Sequence, residues 1–134
     1  MTFRTVYHVA RILFGAWFVA MGVEFFLPWD IQPLGTNPLA HEYTLALIHS
    51  GLFHVIKIGE IAIGLSVLAN RFMPAVLAGC LPITLGIVHW NMWLEHSWFE
   101  WSFGIATVVL HAILLWPWRR YYCALFVWKG NPDY

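Results

Sequence analysis

The chain has 134 residues, of which 60% are hydrophobic and 10% are charged. Seven Lys or Arg residues balance seven Asp or Glu residues, so no net charge indicates nucleic acid or an acidic partner. Soluble domains usually carry about 25% charged residues, so a lipid bilayer is the better solvent for this composition. The sequence therefore predicts an integral membrane protein.

Four apolar stretches reach the length of about 20 residues that a transmembrane helix needs. In chain order they cover approximately residues 6–27, 43–69, 72–94 and 98–116. The connections between them are short, and short connections make neighbouring helices antiparallel. The predicted fold is all-α, an up-down bundle of four transmembrane helices that forms one integral membrane domain over residues 1–134.

The first stretch also resembles a signal peptide, because Arg4 and Arg11 precede much of its apolar run. That run continues to Leu27, and no small-residue cleavage pattern closes it. These features favour a retained transmembrane helix over a cleaved signal.

The orientation follows from the loop charges. Basic residues fall before the first span, between the second and third, and after the fourth: Arg4, Arg11, Arg71, Arg119, Arg120 and Lys129. The other two connections carry acidic residues without Lys or Arg: Asp30, Glu42, Glu95 and Glu100. Loops rich in Lys and Arg stay in the cytoplasm. We therefore expect a multi-pass protein of the bacterial inner membrane with both termini inside.

Ionisable side chains within a span cost several kcal/mol unless they are paired or hydrated, so each is a candidate for ligand or proton binding. The candidates are Glu24, His49, Lys57, Glu60, His89 and His111. At a rise of about 1.5 Å per residue, the candidates fall into two depth layers, and His54 lies between them. The outer layer holds Glu24, His49 and His89, and the deeper one holds Lys57, Glu60 and His111.

The second span carries a polar stripe. Lys57 and Glu60 are three residues apart and share a helix face, as an ion pair requires. On a continuous helix, His49 would lie within about 20° of Glu60. Two interpretations stay open. The stripe either holds the bundle together, or it lines a polar cavity for a small ligand, a quinone head group or a proton path.

Other cofactors have less support in the sequence. No HxxxH or CxxC spacing indicates a metal site. The segment GIATVVLHAILLWPWR, residues 104–119, loosely resembles the pigment-binding helix of bacterial light-harvesting polypeptides. That resemblance would make His111 a bacteriochlorophyll ligand, although a hydrogen bond to a neighbouring helix is the simpler role. No catalytic or nucleotide-binding motif is present, which favours a protein that is not an enzyme.

Two segments carry a family resemblance, KIGEIAIGLSVLANRFMPAVLAG at residues 57–79 and LPITLGIVHWNMWLE at residues 81–95. Both resemble the DoxX-like family of small four-helix bacterial membrane proteins, as does ARILFGAWFVAMGVEFFLP at residues 10–28. The matching features are an acidic residue followed by glycine, a basic turn, and a proline and histidine in the third span: Glu60, Gly64, Arg71, Pro82 and His89. The resemblance implies the four-helix fold more strongly than any activity.

Three functions are compatible with these features. The preferred one is an accessory or structural subunit of a larger redox or energy-transducing complex, with other membrane subunits as partners, because the chain has almost no extramembrane part. The second is a membrane oxidoreductase or quinone-binding protein, since some DoxX-like relatives are associated with thiosulfate:quinone oxidoreduction. The third is a small transporter or proton-relay protein.

Overall fold

A computed structural model describes residues 2–28, 33–123, 125–126 and 130. Asp30 and Lys129, which entered the orientation argument, lie outside these residues. All regular secondary structure in the described part of the chain is helical, so the all-α prediction is confirmed. The elements are α1 (Phe3–Glu24), α2 (Pro38–His49), α3 (Leu52–Leu68), α4 (Met73–His89), a π-helix (Trp90–Glu95), α5 (Trp98–Leu115), a 3-10 turn (Trp116–Trp118) and α6 (Arg119–Cys123).

Among the described residues, three helical segments are long and apolar enough to cross a membrane. They are Phe3–Glu24, Met73–Glu95 and Trp98–Cys123. The first starts and ends somewhat earlier than the predicted 6–27, and the last continues beyond the predicted end at Trp116. The pair α2 and α3 supplies a fourth span if the bent pair crosses as one unit. The described helices are therefore those of a small membrane protein with three or four candidate spans.

The second predicted span differs from the single helix expected over residues 43–69. Its place is taken by α2 and α3, which meet at an angle of 86°. The break lies at Ser50 and Gly51, and Gly51 has a φ of +77°. Glycine adopts this left-handed conformation readily because it has no Cβ. Neither residue interrupts the hydropathy of the stretch, so span length alone does not reveal the bend.

Helices α1 and α3 pack closely through glycines. A Cβ on Gly64 would lie 2.7 Å from the Gly15 carbonyl oxygen, and one on Gly22 would lie 2.9 Å from the Lys57 carbonyl oxygen. Small residues at such positions let two helix backbones approach within a membrane. The Arg11 Nη1 donates to the Leu68 carbonyl at 2.6 Å, which satisfies a carbonyl at the end of α3.

The third span runs through Pro82 without ending and continues from α4 into the π-helix. Its extent, Met73–Glu95, agrees with the predicted 72–94. The innermost packing of the bundle joins α1, α4 and α5, where Phe14, Leu77 and Leu114 are almost fully buried. Many large apolar side chains remain exposed on the outside of the helices, among them Ile12, Ile58, Leu85 and Val109. Such an outer surface suits lipid contact.

Candidate functional site

The ion pair predicted on the second span is present on α3. The Lys57 Nζ lies 3.0 Å from the Glu60 Oε2, and each side chain is only 7% exposed. The same ammonium donates to the Met21 carbonyl oxygen of α1 at 3.2 Å. It also lies 5.0 Å from the centroid of the Phe53 ring. The pair is thus held between α1 and α3, with both members turned toward the interior.

A cavity of about 580 Å³ lies against this pair. Its wall combines residues of α1 to α5 and the π-helix, and most of that wall is apolar. Aromatic rings contributed by several of these elements include Trp17, Phe53, Trp90 and Phe103. Cavities that bind small molecules commonly measure about 300–1,000 Å³ and combine apolar walls with a few polar groups. The size and the lining of this cavity fit that description.

The π-helix contributes two polar residues to the wall, Trp90 and Asn91. The Trp90 Nε1 donates to the Thr44 hydroxyl of α2 at 3.0 Å, which joins the two elements. The Asn91 Nδ2 donates to the Ile87 carbonyl oxygen at 2.7 Å. A π-turn within a helix occurs frequently at functional sites, because its unusual hydrogen-bond pattern changes the direction of side chains.

Helix α2 forms one side of the cavity through Tyr43, Thr44 and Leu47. The residues just before α2 are bound by the Glu95 carboxylate of the π-helix. Its Oε1 accepts from the Thr36 amide at 2.6 Å and the Asn37 amide at 3.0 Å, and its Oε2 accepts from the Thr36 hydroxyl at 2.7 Å. Helix α2 is therefore fixed at one end by Glu95 and joined at the other through the Ser50–Gly51 bend.

Two further carboxylates lie near this region. Glu100 of α5 lines the cavity, and its side chain makes no hydrogen bond or ion pair with a described residue. Glu24, at the end of α1, has a buried Oε1 that finds no hydrogen-bond partner in the described part of the chain. Glu24 does not line the cavity. Of the acidic candidates named from the sequence, only Glu60 does.

The histidines of the predicted outer layer lie elsewhere. His49 is the last residue of α2, is exposed, and does not share the face of Glu60 because the helix bends between them. His89 is exposed, and its ring centroid lies 6.3 Å from the rings of Tyr43 and Trp93. Neither histidine lines the cavity. The expected stripe is therefore reduced to the pair Lys57 and Glu60.

His111 is buried between α4 and α5. Its Nε2 lies 3.0 Å from the Leu77 carbonyl oxygen, and its Nδ1 lies 2.8 Å from the Thr84 hydroxyl. A carbonyl only accepts, so Nε2 carries the proton and Nδ1 accepts from Thr84. Both ring nitrogens are engaged and the residue is 2% exposed, so His111 does not fit a bacteriochlorophyll ligand. This arrangement is the interhelical hydrogen bond that the simpler interpretation predicts.

Metal ligation finds no support in the described residues, where no group of three or more His, Cys, Asp or Glu side chains is placed to hold an ion. Several residues of the cavity are not among the site candidates named from the sequence, for example Thr44, Trp90, Asn91 and Glu100. They come from α2, the π-helix and α5, and no spacing along the chain links these three elements. The only local signal was the dense aromatic and polar run WNMWLE at residues 90–95.

No protein-family model, no curated protein and no solved structure matches the chain. The DoxX-like resemblance therefore stays a prediction. What can be said of the site rests on the geometry of this chain.

Proposed function

We propose that this membrane protein binds a small lipophilic molecule in the cavity between its helices. The observation that carries the proposal is the cavity itself, about 580 Å³ in volume and walled by aromatic side chains and the ion pair of Lys57 and Glu60. A quinone is the candidate that the sequence suggested.

The position of the ion pair supports a ligand site. A buried ion pair seldom stabilises a protein more than well-packed apolar residues of the same volume would, because both charges lose their hydration. Lys57 and Glu60 line an open space instead of being sealed within packed side chains. A polar contact to a ligand would explain why the charges lie at this wall.

The orientation proposed for the chain has both termini in the cytoplasm, with α2 and α3 crossing as one bent span. Contacts at one end of the bundle support it. The Tyr122 hydroxyl donates to the Pro74 carbonyl at 2.9 Å, and Arg11 donates to the end of α3. These bonds bring the described basic segments to the same end: Arg4, Arg11, Arg71, Arg119 and Arg120. Glu95 and Glu100 belong to the opposite end of their helices.

A ligand-binding test follows from two glycines of α4. A Cβ on Gly86 or on Gly79 would meet nothing within 4 Å, and Gly86 lines the cavity whereas Gly79 does not. The variant Gly86→Phe should place an aromatic ring in the cavity and obstruct a ligand, and Gly79→Phe is its matched control. Trp17 and Trp90 line the cavity and report on its occupancy by fluorescence.

The experiment uses the full chain in lipid nanodiscs, titrated with decylubiquinone while tryptophan fluorescence is followed. Lipids that co-purify with the protein are identified by mass spectrometry in parallel. We expect saturable quenching, or a retained lipophile, that is lost in Gly86→Phe and kept in Gly79→Phe. If neither signal differs between the two variants, the proposed function is wrong.

The second candidate function is an accessory subunit of a larger redox or energy-transducing complex, in a protein of the DoxX-like family. It is favoured by large aromatic side chains that stand exposed at the ends of helices, such as Phe72 at 81% and Trp98 at 82%. Exposed aromatic residues serve as anchors at subunit interfaces as well as at the membrane surface. Purification from the native membrane in mild detergent, followed by native electrophoresis, tests this function. A single monomeric species without a co-purifying protein would contradict it.

A further inference from the structure

Several donors in the cavity wall are engaged within the protein, whereas no described residue accepts from the Trp17 Nε1 or the Tyr43 hydroxyl. The Trp90 Nε1 donates to Thr44, and the Thr44 hydroxyl donates in turn to the Ala40 carbonyl at 2.9 Å. The Thr107 hydroxyl donates to the Phe103 carbonyl of its own helix at 2.8 Å. The Lys57 ammonium donates to Glu60 and to Met21, which leaves it one N–H of three.

The acceptors in the wall are largely free. The Ile87 carbonyl oxygen can only accept a hydrogen bond, so the Asn91 atom that faces it is the amide nitrogen Nδ2. The Asn91 Oδ1 therefore takes no part in this bond. No described residue donates to that Oδ1, although Asn91 is only 7% exposed. The Glu60 Oε1 and both oxygens of Glu100 likewise accept no hydrogen bond from a described side chain or amide. Three of these four free acceptors are carboxylate oxygens.

Negative charge outnumbers positive charge in the cavity wall. Among the described residues that line the cavity, Lys57 is the one cation, and Glu60 and Glu100 are carboxylates. Lys57 is already bonded to Glu60, so Glu100 is left without a counter-charge. Glu100 is partly buried in the first turn of α5, and a carboxylate without a counter-charge at that position attracts a cation.

Aromatic rings next to Glu100 supply a second attraction for positive charge. Phe99 and Phe103 flank it on α5, and their ring centroids lie 4.9 Å apart in an edge-to-face arrangement. The Trp17 ring of α1 stacks on Phe103 with centroids 5.3 Å apart. The faces of such rings attract cations. The cavity already shows this contact once, where the Lys57 ammonium lies over Phe53.

We propose that the ligand of this cavity is an amphipathic organic cation. Its apolar body packs against the aromatic wall, and its positively charged head interacts with Glu100 and with the free oxygens of Glu60 and Asn91. This inference rests on the proposed function, because it names the class of ligand for the same cavity. The alternative ligand is a neutral quinone, whose carbonyls need hydrogen-bond donors.

Tetraphenylphosphonium and tetraphenylborate provide a matched pair of probes, since they have nearly the same shape and opposite charge. Each probe is titrated into nanodiscs of zwitterionic lipid that contain the full chain. Binding to protein-free nanodiscs is measured separately and subtracted. We expect the cation to bind at least about tenfold more tightly than the anion and more tightly than decylubiquinone. Gly86→Phe should remove this binding, and Gly79→Phe should keep it.

The role of Glu100 is tested by Glu100→Gln, which keeps its size and removes its charge. We expect the affinity for the cation to fall about tenfold while any binding of decylubiquinone is unchanged. Glu42→Gln is the control, since Glu42 is exposed on α2 and does not line the cavity.

The outcomes separate the two proposals. Binding that depends on Gly86 but favours the anion or the neutral quinone would overturn the cation inference and leave the proposed function standing. A cation affinity that Glu100→Gln leaves unchanged would overturn it as well. Both proposals are wrong if none of the three probes binds in a way that Gly86→Phe removes and if Gly86→Phe also leaves the co-purifying lipophiles unchanged.

Discussion

The Lys57 ammonium lies 3.0 Å from the Glu60 carboxylate on a helix face where each side chain is only 7% exposed. Each charge therefore depends on the other, because water is largely excluded from both. Removal of one partner leaves the other charge buried without a counter-charge, which is destabilising. Replacement of both by apolar residues leaves no buried charge. The two charges are thus coupled: the loss of one destabilises the protein through the other, whether or not the pair also contacts a ligand.

We expect Lys57→Met to lower the free energy of unfolding by about 3–5 kcal/mol, because Glu60 is then buried without a counter-charge. The double variant Lys57→Met/Glu60→Leu should recover most of that loss. Unfolding by SDS in mixed micelles measures both. Arg71→Met serves as the control, since Arg71 is exposed and its side chain makes no hydrogen bond or ion pair with a described residue. A double variant as unstable as the single one would contradict this account of the pair.

A second prediction concerns the contact of α1 with α3. A Cβ on Gly64 would lie 2.7 Å from the Gly15 carbonyl oxygen and 2.8 Å from the Val19 backbone nitrogen. Backbone atoms cannot move aside without separating the helices, so Gly64→Ala should destabilise the protein by about 1–3 kcal/mol. Gly79→Ala is the matched control, because its Cβ meets nothing within 4 Å.

Thermal unfolding of the two alanine variants in the same detergent checks this prediction. Gly79→Ala should leave stability unchanged or raise it by about 0.5–1 kcal/mol, since alanine restricts the unfolded chain more than glycine does. Equal losses in both variants would show that the close approach at Gly64 does not limit stability.

The helical class and most of the helix extents followed from the sequence, because apolar length alone identifies a span. The bend at Ser50 and Gly51 could not be predicted from the sequence, because neither residue is polar enough to interrupt a hydropathy profile. This one error also misplaced His49. An angle of about 20° between His49 and Glu60 holds only for a continuous helix, and the 86° bend between α2 and α3 removes that relationship.

The ion pair could be predicted because its members are three residues apart on one helix. The cavity could not, because its wall is assembled from several helices whose relative positions no spacing records. Glu100 illustrates the difficulty. In the sequence it is an acidic residue near a loop, and only the packing of α5 against α1 and α4 brings it to a cavity wall.

A third prediction concerns the buried hydrogen bond of His111 with Thr84. Thr84→Val keeps the shape of the side chain and removes the hydroxyl that donates to the His111 Nδ1 at 2.8 Å. The imidazole nitrogen would then be buried without a donor, so we expect a loss of about 1–3 kcal/mol in the free energy of unfolding. Thermal unfolding in detergent measures it.

Thr107→Val is the matched control for Thr84→Val, because the two threonines are 4% and 5% exposed. The Thr107 hydroxyl bonds only to the Phe103 carbonyl one turn earlier in its own helix. Removal of the Thr107 hydroxyl should therefore lower the free energy of unfolding less than removal of the Thr84 hydroxyl does. Equal costs would mean that the His111 bond contributes nothing specific to stability.

The last prediction concerns the carboxylate that binds the start of α2. In Glu95→Gln, one oxygen still accepts from the Thr36 and Asn37 amides, but the new NH₂ group cannot accept from the Thr36 hydroxyl as Oε2 does at 2.7 Å. Hydrogen bonds to a charged group contribute about 1.5–3 kcal/mol, against about 0.5–1.5 for neutral ones. We therefore expect amide exchange at Thr36 and Asn37 to become roughly tenfold faster.

Hydrogen–deuterium exchange followed by mass spectrometry locates this effect. Faster exchange should be confined to residues 33–49, because the Ser50–Gly51 bend separates α2 from α3 and Glu95 holds only the start of α2. Glu42→Gln, an exposed change on α2 itself, should leave exchange unaltered. An unchanged rate in Glu95→Gln would show that other contacts hold α2, such as the bond from Trp90 to Thr44. Faster exchange spread over α4 and α5 would instead mean that Glu95 stabilises the whole bundle rather than one wall of the cavity.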